Sequence, residues 1–200
     1  MANEAKQVRQ FVNTRIGQIL RTPADGPMKA TLANMRRGIG KIPGDLPELW
    51  GMLFLDFPET LFSKRNEPSK AEWAAYTALT LFALHQQGHE PKKEPMHQPN
   101  VSFGQAVGQL IEKEEDEARI RRRFQVAATS SDMTELSQHM RGMVQLLRTK
   151  GIPMDYAAVA EDLYWYQFME YAPSVRLKWG QDFYRRNWKN AEAGKEDTNE

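Results

Sequence analysis

The histidines come first, because an imidazole at neutral pH can bind a metal ion or move a proton. His85 and His89 stand four residues apart near the end of a helical stretch, and His97 follows. Such a pair can grip zinc from one helix face, but a site needs further ligands in fixed geometry. Gly88 and the three prolines between 91 and 99 end the helix where His89 sits. The three therefore read as solvent-exposed histidines, with no metal and no cofactor. A second cluster, Glu112, Glu114, Glu115, Asp116 and Glu117, has the residue types of acid–base catalysis. A solvated helix face explains it better. Glu115 precedes Arg119 by four residues and Glu117 precedes Arg121 by four, the favourable order for helical ion pairs. Gly38-Ile39-Gly40-Lys41 lacks the spacing of a phosphate-binding loop, and no serine has a nucleophile-elbow context. No catalytic residue is expected.

The arginines and lysines make the stronger pattern. Lys29 and Arg36 are seven apart, Arg37 and Lys41 follow, and no acid lies between 29 and 41. Arg141 and Arg148 repeat the seven-residue relation, again in a stretch without acids from 136 to 154. Seven residues are two helical turns, so each pair shares a face at about 10 Å separation. Such rows suit a phosphate backbone, where cations bring affinity by counterion release but no sequence information. In the run Arg119-Ile120-Arg121-Arg122-Arg123-Phe124, Ile120 and Phe124 share the core face. The upstream acids claim Arg119 and Arg121, which leaves Arg122 and Arg123 for phosphate or protein contact. Tyr164, Trp165, Tyr166, Phe168 and Tyr171 crowd one further stretch. They read either as aromatic core or as an interface carried by Trp165, Tyr164 and Phe168, since aromatic anchors dominate protein contacts.

The elements that position these residues are helices: apolar residues recur at the helical period, and no alternating strand pattern stands out. A first helix over about 4–20 places Val8, Phe11, Val12, Ile16 and Ile19 on one face, and 22–27 breaks it. Met28, Leu32 and Met35 turn the next one inward, to end at Gly38 or Gly40. Pro47 opens a short third helix. The capping box Ser69-Lys70-Ala71-Glu72 starts a fourth that buries Trp73, Tyr76, Leu81 and Leu84, and Ser102-Phe103-Gly104-Gln105 starts another. Asp132 with Glu135 precedes the helix of Arg141 and Arg148, whose apolar stripe is Met133, Leu136, Met140, Val144 and Leu147. Asp155 starts a helix over 156–171, and Pro173 separates it from a last one over 175–190. The fold class is all-α: two packed helical bundles with about nine helices. The expected division is an N-terminal bundle at 1–88, an exposed proline-rich connection at 89–100, a C-terminal bundle at 101–190 and an acidic flexible tail at 191–200.

Composition narrows the function further. There is no cysteine, which excludes a disulfide scaffold, a thiolate zinc site and a cysteine nucleophile. Net charge is only +1, so basic surfaces arise here from segregation of charge rather than from excess. The amino terminus lacks the apolar core of a signal peptide, and no apolar run approaches the roughly 20 residues of a membrane span. A cytoplasmic protein without membrane contact is expected.

Together these segments resemble a known family. Val101-Ser102-Phe103-Gly104-Gln105-Ala106-Val107, then Arg119 to Phe124, then Met133-Thr134-Glu135-Leu136 come in order. His139 to Leu147, Ile152-Pro153-Met154-Asp155-Tyr156 and Leu163-Tyr164-Trp165 follow, and Met35 to Lys41 with Trp50 precede them. This order is similar to the CasB family, the small subunits of the type I-E CRISPR Cascade complex, over most of 20–165. The resemblance implies a non-catalytic subunit, present as two copies beside the Cascade backbone and large subunits. It also implies contact with the crRNA–target DNA hybrid and the displaced DNA strand. Lys29, Arg36, Arg37, Lys41, Arg122, Arg123, Arg141 and Arg148 are the expected nucleic-acid contacts, stabilising an R-loop whose sequence is read by pairing. The alternative is a helical protein–protein adaptor without nucleic-acid contact. A third reading is a metal-dependent helical hydrolase using His85, His89 and acidic neighbours.

Overall fold

A computed structural model describes the backbone of residues 1–22 and 26–196, with side chains through Arg185. The described residues form nine α-helices, two short 3-10 turns and no strand, only an isolated bridge between His97 and Met154. The all-α expectation holds. Helix α1 (Ala2–Arg21) buries Val8, Phe11, Val12, Ile16 and Ile19 as the period requires. The break at 22–27 falls partly outside the described residues. Helix α2 (Pro27–Arg37) has proline at its start and buries Met28, Leu32 and Met35.

The end of α2 differs in cause from the expectation. Gly38 keeps right-handed backbone, and it is Gly40 that turns left-handed, at φ 74°. Gly38 is required for space instead: a Cβ there would lie 2.6 Å from the Tyr76 hydroxyl and 3.0 Å from Leu49 and Thr80. A 3-10 turn at Pro47–Leu49 leads into α3 (Trp50–Phe54).

Helix α4 (Lys70–His85) starts at its capping box, with Ser69 accepting from the Glu72 N–H and Glu72 accepting from the Ser69 N–H. It is buried on all sides from Ala74 to His85. Five alanines, at 71, 74, 75, 78 and 83, keep its surface low enough for α1, α2, α7 (Met133–Lys150) and α8 (Tyr156–Tyr166) all to pack against it. Trp73, expected in the core, is only partly buried.

The histidines are not solvent-exposed, because they stitch the helices together. His85 is fully buried, with Nδ1 2.9 Å from the Tyr156 hydroxyl, which in turn donates to the Leu81 carbonyl. His89 Nε2 lies 2.9 Å from the Arg148 carbonyl oxygen. His97 Nδ1 accepts from the Tyr156 N–H at 3.1 Å. Residues 89–100 are mostly exposed, as expected, but Met96 is buried, and the Gln86 side chain accepts its N–H at 2.9 Å.

Ser102 caps α5 (Phe103–Gly108) with its box intact. Helix α6 (Glu114–Ala128) carries four acids in its first turn, where they complement the helix dipole. Asp132 caps α7 (Met133–Lys150), and Gly151 ends it in left-handed conformation, at φ 63°. Asp155 caps α8, which ends at Tyr166 and not at 171. Gln167 to Tyr171 form a turn, in which the Gln167 amide donates to the Leu163 and Lys70 carbonyls. Helix α9 (Ala172–Glu196) begins earlier and runs longer than expected, taking in the start of the acidic tail. Residues 197–200 lie outside the described part.

Two measurements check this packing. A Cβ at Gly104 would run into the Trp179 carbonyl oxygen, and one at Gly108 would lie 2.8 Å from that of Phe183, both backbone atoms of α9. Gly104→Ala should therefore cost about 1–3 kcal/mol by overpacking. Gly142, inside α7 and facing open space, should give the opposite sign, with Gly142→Ala gaining about 0.4–1 kcal/mol. Urea unfolding of the two variants decides it.

The second concerns pH. Burial, and then the neighbouring His89, push the His85 imidazole down to about 3. The unfolded chain takes up this proton near pH 6.5 while the folded one refuses it. The stabilisation is thus complete above about pH 6.5 and is lost as pH falls toward 3, at up to about 1.4 kcal/mol per pH unit. Unfolding free energies between pH 7.5 and 4.5 should fall less steeply for His85→Gln than for the parent chain. Parallel slopes would refute the assignment.

Candidate nucleic-acid interface

The cations singled out from the sequence come from α2, α6 and α7 and from the loop at Lys41, and α6 packs against α7. On α2, Lys29 is exposed and lines a groove of about 700 Å³ with Arg36, Leu32, Gln87 and His89. Arg36 is half-buried there, and its Nη1 donates to the Ala83 carbonyl at 3.5 Å. Arg148 of α7 faces the same region, its Nη1 donating to Gln87 Oε1 at 2.9 Å. The two arginines are near enough to repel. Burial lowers the Arg36 guanidinium from its ordinary value, and Arg148 lowers it further.

Arg37 points elsewhere and pairs with Glu48 at 3.0 Å. Lys41 is exposed beyond Gly40, where a Cβ would sit 3.8 Å from Gln138 Cγ of α7. Gln138 in turn borders a second groove, of about 780 Å³ between α6 and α7. Arg119, Arg122 and Arg123 line it from α6, and His139 and Gly142 from α7. Arg122, Arg123 and Arg141 are all exposed. Among the described residues Lys29, Lys41, Arg122, Arg123 and Arg141 have no ion-pair partner.

Sequence reasoning leaves out two residues of this second groove. Arg119 is assigned there to Glu115, but it pairs with Asp116 at 2.7 Å and still lines the groove. His139 carries no signal of its own, since only the packing of α6 on α7 brings it beside the arginines. Arg121 pairs with Glu117 at 3.5 Å as expected, and Glu112 takes Lys150 at 2.8 Å, a pairing that the sequence reading does not include.

The aromatic stretch divides. Tyr164 is buried, its hydroxyl donating to Glu4. Trp165 and Phe168 are half-buried and stand beside Met169, which is 90% exposed. Basic residues of α9 are largely spent: Lys178 meets Asp162 at 2.6 Å, Arg185 meets Asp182 at 3.4 Å, and Arg176 lies over the Tyr166 ring. Arg186 and Lys189 have side chains outside the described part. No group of three His, Asp or Glu among the described residues could hold a metal ion, and no described helix is long and apolar enough to cross a membrane.

A family model, that of CRISPR-associated protein Cse2, matches residues 31–184. The chain is also 35% identical to CasB from Thermobifida fusca, covering 88% of this chain and 97% of that one, with a TM-score of 0.74. The chain belongs to the Cse2 family. Cse2 proteins, also called CasB, are non-catalytic small subunits of the type I-E Cascade. CasB from Thermus thermophilus shares the fold at 21% identity, over 86% of this chain and 97% of its own, with a TM-score of 0.63. A chain described as CRISPR RNA-guided surveillance complex shares it at 17% identity, over 94% and 99%, with a TM-score of 0.69. No curated protein matches the sequence. The Cse2 match takes in every candidate cation except Lys29.

Arg36 tests the electrostatics of this face. On sequence grounds it is a free surface cation, but its burial and its like-charged neighbour make it a costly one. Arg36→Gln should leave the unfolding free energy within about 0.5 kcal/mol of the parent, or raise it at low salt. A loss above about 1 kcal/mol in urea unfolding would mean that the Ala83 contact outweighs the repulsion.

Proposed function

We propose that this Cse2 protein binds the sugar–phosphate backbone along the face formed by α2, α7 and α6, as part of a Cascade complex. There it steadies the crRNA–target DNA hybrid and the displaced strand in antiviral defence, in the cytoplasm. The observation that carries this reading is the convergence of Arg36 and Arg148. Arg36 lines the groove beside Gln87, and Arg148 reaches the same Gln87 from α7 at 2.9 Å, so an anion entering there meets a cation from each helix. The free cations Lys29, Lys41, Arg122, Arg123 and Arg141 extend the same field on either side. Arg37, held by Glu48, is a weaker contact.

A face of this kind neither reads bases nor needs to, because pairing with the guide supplies sequence. R-loop exchange is nearly balanced in energy, so a handful of phosphate contacts can tip it. The half-buried Trp165 and Phe168, with Met169, form the docking patch for a second copy or for the backbone subunits. Tyr164 supports that patch from within.

Charge reversal tests the reading. Arg122 and Arg141 are exposed and unpaired, so Arg122→Glu with Arg141→Glu should change stability by about 0.5 kcal/mol or less each. For the parent protein, log affinity against log salt should fall with a slope of about −2 to −5, and the double variant should lose about two units of that slope. In a reconstituted complex the variant should bind target duplex less tightly and leave the displaced strand more open to single-strand nucleases. Unchanged target affinity would refute the phosphate role. Failure to assemble would move these arginines to a subunit interface.

A further inference from the structure

Three histidines stand at and just beyond the end of α4, and the partners of one of them are unlike the rest. His85 Nδ1 faces the Tyr156 hydroxyl, whose own hydrogen goes to the Leu81 carbonyl, and His85 Nε2 is buried without a partner. His97 Nδ1 accepts from the Tyr156 N–H at 3.1 Å, and its Nε2 faces Asn13 Oδ1 at 3.2 Å. A single ring hydrogen satisfies each of these two. His89 is placed differently: Nδ1 lies 3.1 Å from Glu94 Oε2, and Nε2 lies 2.9 Å from the Arg148 carbonyl oxygen. A carboxylate and a carbonyl can only accept. The neutral ring has one N–H and leaves one of these contacts without a hydrogen, whereas the imidazolium donates to both.

The charges around His89 pull in opposite directions. Glu94, on its own segment, favours the proton, and so does the carbonyl end of α7, the negative end of that helix dipole. Arg148 of α7 opposes it, and so do Lys29 and Arg36 of α2, which line the same groove as His89. Lys150 of α7 is taken by Glu112 at 2.8 Å, and Glu90, also in the lining, is taken by Lys93 at 2.9 Å. His85 of α4 is the remaining titrating neighbour, and burial keeps it uncharged down to about 3. Anything that neutralises the α2 and α7 cations therefore removes the opposition to a proton on His89.

We propose that His89 is a proton-linked cation of this groove: phosphates entering beside Arg36 and Arg148 draw a proton from the buffer onto the bare ring nitrogen. The inference rests on the backbone-binding reading above and adds the regulation of that site by pH. The coupling is reciprocal, so binding that takes up a proton strengthens as pH falls, by at most about tenfold per pH unit for one proton. The protonated ring also ties the segment after α4 to the last turns of α7, which carry Arg148. One proton thus adds a charge to the groove and fixes the arginine beside it.

His139, in the groove between α6 and α7, is a second imidazole on this face, so the measurements use full-length His139→Gln. At constant low salt its affinity for a short DNA duplex should rise about 3- to 10-fold between about pH 8 and pH 6. Calorimetry in two buffers of different ionisation enthalpy should show net proton uptake on binding near neutral pH. Adding His89→Gln should remove most of the rise and most of the uptake. Glu94→Gln, at an exposed side chain, keeps the imidazole but removes its carboxylate, and should move the rise toward lower pH even if His89→Gln does not fold. Duplex binding that ignores pH, or a rise and uptake left unchanged by His89→Gln and Glu94→Gln, would overturn the proton linkage alone. No duplex binding at low salt at any pH would sink the backbone reading with it.

Discussion

From Ala74 to His85 every side chain of α4 is out of solvent, and a helix with no solvent face has to be wrapped by others. Its alanines let α1, α2, α7 and α8 approach closely, and its Leu79, Leu81 and Phe82 fill the space between them. An all-round apolar helix is the signature of a core element rather than of an amphipathic shell. The surrounding helices are amphipathic because α4 is not: each needs only one apolar stripe. The order in which they surround α4 sets which of their outer faces become neighbours. In this way α2 and α7, far apart in sequence, deliver Arg36 and Arg148 to one place.

Burying such a helix also buries its polar groups, several of which find partners, while the Tyr76 and Thr77 hydroxyls and His85 Nε2 find none among the described residues. The Thr80 hydroxyl donates to the Tyr76 and Thr77 carbonyls of its own helix. His85 reaches across to Tyr156, whose hydroxyl returns to the Leu81 carbonyl. One residue earlier, Asp155 caps α8 through the Ala158 N–H, accepts from the Asn100 N–H and meets Arg9 of α1 at 3.4 Å. The amino end of α8 is thus a polar junction between α1, α4, the segment after α4, and α8 itself. It aligns the elements more specifically than apolar contact alone, since hydrogen bonds have direction.

Local signals were the legible ones. Ser69, Ser102, Asp132 and Asp155 each cap the helix assigned to them, because a cap is decided within four residues. The stripes of α1, α2 and α7 are buried as periodicity requires. What failed depended on partners. Helical phase gives the direction of a side chain but not what lies there, so His85 reads as exposed although Tyr156 waits for it. Trp73 reads as core although its neighbours leave one side open. The boundary between α8 and α9 was blurred because aromatic residues run through it: Trp165, Phe168 and Tyr171 pack on one another across the turn. Of the candidate cations, exposure was legible for Arg122, Arg123 and Arg141, but the pairing of Arg37 and the crowding of Arg36 are tertiary facts.

Net charge misleads for the same reason. A balance of +1 suggests a surface without electrostatic purpose, yet the balance is struck in particular places. Glu48, Asp116, Glu117 and Glu112 each neutralise one named cation, and Asp162 and Asp182 do so along α9. Several of the cations left over after this pairing lie together on α2, α6, α7 and the loop at Lys41, and at short range a field depends on those rather than on the sum. At 0.15 M salt the screening length is about 8 Å. A phosphate at this face therefore feels the local arginines strongly and the distant acids of the chain hardly at all. A nearly neutral protein can in this way hold a polyanion along one side while its other sides remain free for neighbouring subunits.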